Sequence, residues 1–205
     1  AAGFDLPKFF VGSRGGFGLL AEVTIKVFPR PKSELTLALP VSSLEEAAGI
    51  MITVGRSRWQ PHALDLPPAG DAVLVRLGGP AEALDAMARD ILARWPGRVL
   101  EVETATRTWT DLRELGWAHP GGLWYKLALP GACWPEVRMR VQDFMSGRIH
   151  ITVGGDGAYA SWPAGTDPAA VGAALRLPGV AAMRLDRLDP TWPDEAKPAL
   201  IIRAL

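Results

Sequence analysis

Residues 34–54 read ELTLALPVSSLEEAAGIMITV, and the change of period within them decides the fold. Leu35, Leu37 and Leu39 alternate with Glu34, Thr36 and Ala38, the period of two of a half-buried strand. Ser42-Ser43-Leu44-Glu45-Glu46 then supplies a serine cap with a glutamate three residues on. That pattern opens a helix, predicted to run to about Val54. Working outward, residues 62–66 form a weak strand and Pro67-Pro68-Ala69-Gly70-Asp71 a turn. Residues 72–77 (AVLVRL) form a strong strand. Gly78-Gly79-Pro80 starts a second helix with proline near its first turn, and Pro96-Gly97 stops it after Trp95. Residues 99–103 are predicted as a strand. The order is strand, helix, strand, strand, helix, strand.

The second half repeats that order. Residues 108–115 form a connecting helix, and 122–129 (GLWYKLAL) a strand. Residues 136–145 form a helix with Val137, Val141 and Phe144 on one face. Residues 148–153 (RIHITV) form a strand, Gly154-Gly155-Asp156-Gly157 a tight turn, and 158–162 a second strand. Thr166-Asp167-Pro168 caps a helix to Leu175, and 180–185 is the last strand. Residues 193–205 read as helical. The fold class is therefore α+β: mainly antiparallel sheets from two tandem ferredoxin-like βαββαβ units, with helices packed on one face. Edge-to-edge pairing of the two units would remove exposed edges and give one larger sheet.

The first thirty residues differ from the rest. Phe9-Phe10-Val11 is followed by four glycines within seven residues, Gly12 to Gly18. Val23, Ile25 and Val27 alternate with Glu22, Thr24 and Lys26, which predicts a strand. Pro29-Arg30-Pro31 cannot donate ladder hydrogen bonds through its prolines, so it ends that strand and marks a boundary. The expected domains are residues 1–31 and 32–205.

The chain has 205 residues, 48% of them hydrophobic, enough to bury a core. Lys+Arg and Asp+Glu both total 22, and a zero balance argues against a nucleic-acid partner. No apolar run reaches transmembrane length. Residues 1–10 lack the pattern of a signal peptide. A single cysteine, Cys133, rules out an internal disulfide and a cysteine-rich metal site. These features point to the cytoplasm. There is no asparagine and arginine outnumbers lysine, which suits a thermophile or a GC-rich genome.

Glycines 12 to 18 allow close backbone approach to a ligand and offer amides to phosphate or carbonyl groups. They precede a strand and lack the Lys-Ser/Thr of a P-loop, so both common phosphate motifs fail. A simple turn is the alternative. His62, His119 and His150 are scattered and suggest surface or satisfied polar residues. Cys133 beside Trp134 reads as a packed thiol. The eight tryptophans share no spacing and read as core or subunit-interface side chains.

Residues 3–31, from Gly3-Phe4-Asp5-Leu6 through Val11-Gly12-Ser13-Arg14-Gly15-Gly16-Phe17-Gly18 to Lys26-Val27-Phe28-Pro29-Arg30-Pro31, resemble the end of the FAD-binding domain of the vanillyl-alcohol-oxidase/PCMH flavoprotein superfamily. Gly122-Leu123-Trp124-Tyr125-Lys126-Leu127-Ala128-Leu129-Pro130 is similar to a strand of the E-subunit family of bacterial glycolate oxidases. The resemblance implies FAD as cofactor, contacted by Gly12, Ser13, Gly15, Gly16, Gly18 and Leu19; the family's pyrophosphate loop is not among these 205 residues, so they are expected neither to retain FAD nor to oxidise glycolate on their own. Gly16 stands where the family has Thr or Cys, and Ala21 where it has Thr, so backbone contacts survive and hydroxyl contacts do not. It also implies a subunit of an FAD-linked 2-hydroxy-acid oxidase complex, with a D-type flavin subunit and an iron–sulfur subunit as partners. Such a complex is cytoplasmic, with any membrane association made through partners. The chain starts near the last quarter of the family's flavin domain, so it reads as a fragment or a short paralogue holding the cap domain almost whole. D-type relatives carry H-x-G-D-G-N-x-H where this chain has Val153-Gly154-Gly155-Asp156-Gly157-Ala158-Tyr159-Ala160. The glycines remain and the metal-binding side chains do not. A non-catalytic interaction module built on the cap domain is the alternative.

Overall fold

The computed structural model describes residues 8, 10, 11, 16–27, 29–130 and 133–185. The chain divides into two compact units, Ala1–Arg30 and Pro31–Leu205.

The second unit is built from two copies of one topology. In the first copy, β1 (Ser33–Pro40), α1 (Leu44–Gly55), β2 (Ala63–Asp65), β3 (Ala72–Gly79), α2 (Ala81–Arg94) and β4 (Arg98–Val99) form an antiparallel sheet of order β2-β3-β1-β4. Helix α3 (Val102–Arg113) follows. The second copy comprises β5 (Leu123–Ala128), α4 (Trp134–Asp143), β6 (Arg148–Thr152), β7 (Gly157–Trp162), α5 (Pro168–Ala174) and β8 (Ala181–Arg184), in the order β6-β7-β5-β8. The α+β class and the tandem ferredoxin-like order match the sequence reading.

Local chemistry sets the boundaries. The Ser43 Oγ accepts from the Glu46 backbone N–H at 3.1 Å, and Glu46 Oε2 accepts from the Ser42 N–H at 2.7 Å. The cap at α1 thus reaches one residue further back than in an ordinary capping box. Asp167 caps α5 by accepting from the Ala169 and Ala170 amides. A single 3₁₀ turn, Val153–Gly155, joins β6 to β7.

The two copies meet at their edge strands. Leu66, just beyond β2, exchanges two backbone hydrogen bonds with Ile151 of β6, at 2.8 and 3.0 Å. The strands therefore run β4-β1-β3-β2-β6-β7-β5-β8 as one sheet, which covers two edges that would otherwise be exposed. On one face, Leu37, Leu39, Val75, Leu66, Ile151 and Leu127 pack beneath α1, α2, α4 and α5 in a single apolar cluster that crosses the seam. Each such fully buried aliphatic side chain contributes roughly 1.5–3 kcal/mol.

Helix α3 takes the opposite face. Leu112 is buried there with Ala38 and Leu74, and Trp109 packs beside them. Trp109 Nε1 donates to Thr36 Oγ1 at 2.9 Å. This corrects the reading of the connection: the strand predicted over 99–103 ends at Val99, and the helix predicted from Thr108 begins at Val102. Ala105, Thr108, Trp109 and Leu112 are the less exposed positions of α3, a helical stripe whose packing on the sheet overrides the β-propensity of its threonines.

In the first unit the strand expected around Val23, Ile25 and Val27 does not form. These side chains are 60%, 74% and 78% exposed, and among the described residues no strand pairs with this segment. Alternation alone cannot make a strand without a ladder partner. The helix predicted over 193–205 and Trp192 lie outside the described residues. No described helix is long and apolar enough to cross a membrane.

Candidate functional site

The glycine-rich loop is described only in part. Gly12, Ser13 and Gly15 lie outside the described residues, while Gly16, Gly18 and Leu19 are all exposed. Gly18 has φ 147°, a conformation that favours glycine, and a Cβ placed on it would meet only the Phe10 ring at 3.7 Å. Its surroundings leave the backbone open. Exposed backbone at Gly18 and Leu19 fits contact with a flavin through main-chain atoms. Neither Gly16 nor Ala21 brings a hydroxyl to it.

A second set of polar residues lies at the seam between the two sheet copies. The residue pairs across β2–β3, β6–β7 and β5–β7 place Asp65, His150, Thr152, Tyr159 and Lys126 on the face opposite the helix-covered core. Asp65 and His150 are both buried. His150 Nε2 lies 2.8 Å from Asp65 Oδ2, and Thr152 Oγ1 donates to Asp65 Oδ1 at 2.9 Å. The His150 ring stacks on Tyr159, and Trp117 covers it edge-on with ring centroids 6.0 Å apart. The sequence reading treated His150 as a scattered histidine. Its partner stands 85 positions earlier, so only the register at the seam reveals the pair.

The turn that carries Trp117 is tied down on both sides. Arg148 Nη1 donates to the Trp117 carbonyl at 2.9 Å. The His119 N–H donates to Ser161 Oγ at 2.9 Å, and Trp124 Nε1 donates to the His119 carbonyl. Burial pushes the His119 pKa below the usual imidazole value, and the Arg148 charge pushes it the same way, against the bond to Ser161. His62 is exposed.

Arg138 is also buried, and it is structural. Its guanidinium donates to the carbonyls of Pro67, Pro68 and Ile149, so α4 grips both the β2–β3 turn and β6. Burial lowers its pKa, with the Asp71 charge opposing. Arginine stays cationic through such a shift. Burial likewise pushes the Cys133 thiol up, which disfavours the thiolate and a nucleophilic role.

Val153 to Asp156 form the β6–β7 connection and Gly157 to Ala160 open β7, in keeping with the expected turn at residues 154–157 and strand from Ala158. Ala158 and Ala160 are buried in the apolar core beneath the helices, whereas Val153 is exposed. The three positions therefore do not share an environment, and none carries a metal-binding atom. Among the described residues no group of three His, Cys, Asp or Glu side chains is arranged to hold a metal ion.

No family model matches the chain. Over 137 residues, 63% of the chain, it is 35% identical to the glycolate oxidase subunit GlcE of Escherichia coli. It is 32% identical over 65 residues to a D-lactate dehydrogenase of Anaerostipes hadrus, and 31% identical over 64 residues to the glycolate oxidase subunit GlcD of Bacillus subtilis. These alignments cover 32% and 31% of the chain. The chain spans 34% of the length of the E. coli protein and 14% of each of the other two. The chain is thus similar along most of its length to an E-type glycolate oxidase subunit, and over a shorter stretch to a D-type subunit and a D-lactate dehydrogenase.

Proposed function

We propose that the chain is part of a subunit of an FAD-linked 2-hydroxy-acid oxidase complex acting on glycolate. Residues 1–31 would form the edge of a flavin domain, with Gly12, Ser13, Gly15, Gly16, Gly18 and Leu19 against the cofactor. Residues 32–205 would form the cap. FAD, when bound, supplies the acceptor for the substrate's hydride. This chain's residues contribute backbone contacts at the loop. A D-type flavin subunit and an iron–sulfur subunit complete the complex in the cytoplasm. The observation that carries this reading is the 35% identity to the E. coli subunit.

Co-expression with a D-type and an iron–sulfur subunit tests it. The tagged chain should retain both partners through purification and gel filtration, together with a flavin absorbance band. Elution of the chain alone, from cells that contain both partners in soluble form, would reject it.

A second reading is favoured by the Val153, Ala158 and Ala160 positions. Two of them are core alanines, so the local sheet has been given over to packing. On that reading the chain is a non-catalytic interaction module, which joins the complex without flavin of its own. Assembly with partners and no flavin attributable to the chain would select it.

A further inference from the structure

Ala21-Glu22-Val23-Thr24-Ile25-Lys26-Val27 has the alternation of a strand and no ladder to join. Every residue from Ala21 to Val27 is exposed, and among the described residues no strand pairs with them. Neither Glu22 nor Lys26 makes an ion pair among the described residues. Unpaired backbone groups beside an apolar row are a template for pairing with another chain. The order of the side chains says which chain.

The segment is complementary to its own reverse. Antiparallel pairing of two copies about Thr24 sets Glu22 opposite Lys26, Lys26 opposite Glu22, and Thr24 opposite Thr24. On the other face it sets Val23 opposite Ile25 and Ala21 opposite Val27. Polar and apolar faces stay separate, as the period of two requires. Opposite charges, paired threonines and paired β-branched residues are the cross-strand neighbours that stabilise a ladder. Other registers lose this match. Parallel in-register pairing sets Glu22 against Glu22 and Lys26 against Lys26, and like charges directly opposite destabilise. An antiparallel slip by one residue sets the charged face against the apolar face. A slip by two sets Glu22 and Lys26 against uncharged residues. Pro29 cannot donate to a ladder and limits it on one side.

We propose that residues 21–27 form the interface of a homodimer, in which the strands of two copies pair antiparallel across a twofold axis at Thr24. The contact is isologous, so it closes with two copies. A two-stranded ribbon is marginal in water, so the dimer depends on protein concentration. Gly16 and Gly18 lie outside the ladder, and the pairing stands without the function proposed above.

Sedimentation velocity of the full 205-residue chain should show monomer giving way to dimer as concentration rises. Glu22→Lys and Lys26→Glu each turn both ion pairs into like-charge pairs, and each should weaken dimerisation about tenfold or more. A mixture of the two variants restores both ion pairs and should dimerise as the unaltered chain does. The double variant should do the same. In a Cys133→Ser background, Thr24→Cys should oxidise readily to a cross-linked dimer, because the two cysteines face each other across the axis. Ala21→Cys should not, because its copies would stand about 20 Å apart along the ribbon. Residues 21–26 are exposed, so the circular dichroism of these variants should match that of the unaltered chain. A chain that stays monomeric at every concentration overturns the proposal. So does an association that the mixture and the double variant fail to restore, or cross-linking of Ala21→Cys as fast as Thr24→Cys. Retention of partner subunits is a separate measurement, and its outcome leaves this one unchanged.

Discussion

Asp65 Oδ2 and His150 Nε2 lie 2.8 Å apart although 85 positions separate the residues, and the pair ties the first sheet copy to the second. Around it run the paired backbone bonds of Leu66 and Ile151 and the Thr152 bond to the same carboxylate. A polar pair in this position favours one register of the seam, because a one-residue slip would turn Asp65 and His150 into the apolar core.

Removing the carboxylate should therefore be costly. Asp65→Ala leaves buried His150 Nε2 and half-buried Thr152 Oγ1 without acceptors, and should lower stability by about 3 kcal/mol. Asp65→Asn keeps an oxygen for Thr152 and should lose less. Urea unfolding measures both, with the midpoint moving and the slope constant. A loss under about 1 kcal/mol in Asp65→Ala would show that the pair is not a structural link.

Arg138 and Gly70 give a second, coupled test. A Cβ on Gly70 would run into the Arg138 guanidinium, and Gly70 has φ 73°, which an alanine adopts with strain. Arg138→Met strands the carbonyls of Pro67, Pro68 and Ile149, and should cost about 3 kcal/mol. Gly70→Ala should cost about 2 kcal/mol in the natural chain, and about 1 kcal/mol, the backbone strain alone, once Arg138 is Met. The double-mutant cycle reads that difference. Strict additivity would mean that the two residues do not touch in solution.

The pH dependence of the Trp117 turn follows from His119. Its folded-state pKa lies below the unfolded value, so the unfolded chain takes up the proton first as pH falls. Its contribution to stability is complete above ~6.5 and declines as pH drops through the folded-state value. His119→Gln should flatten this part of the stability curve. Thermal melts between neutral and mildly acidic pH provide the comparison. A His119 contribution that grows on acidification would contradict the direction of the shift.

Both sheet copies were legible because their strands and helices carry clear periods, as in Leu35-Thr36-Leu37-Ala38-Leu39. The connection from Val99 to Arg113 was misread for a physical reason. Val102-Glu103-Thr104-Ala105-Thr106 favours strand by composition, and the helical stripe of Ala105, Thr108, Trp109 and Leu112 appears only over a longer window. Around Val23 the opposite error occurred, because alternation announces a face and not the neighbour that must cover it. For the seam cluster no local signal exists. Asp65 and His150 each sit in ordinary strand sequence, and become a pair only when β2 and β6 meet in one register.

The last prediction concerns Val153, where a β-branched side chain sits at φ 54°, followed by Gly154 at 65° and Gly155 at 108°. Holding such a residue in the left-handed region costs roughly 1–3 kcal/mol. Glycine there removes that strain and adds about 0.5–1 kcal/mol of backbone entropy in the unfolded chain. The Val153 side chain is 68% exposed, so little burial is lost with it. Val153→Gly should therefore stabilise the chain by about 1 kcal/mol, a rise in melting temperature of about 2–4 °C for a chain of this size. Val153→Ala keeps a Cβ in the same conformation and should gain much less. The glycine variant should fold as before, since Leu129 still binds the Asp156 carbonyl and Asp156 still binds the Val153 carbonyl, both through backbone N–H groups. A melting temperature that falls in Val153→Gly, or rises equally in Val153→Ala, would show that the turn carries no strain at this position.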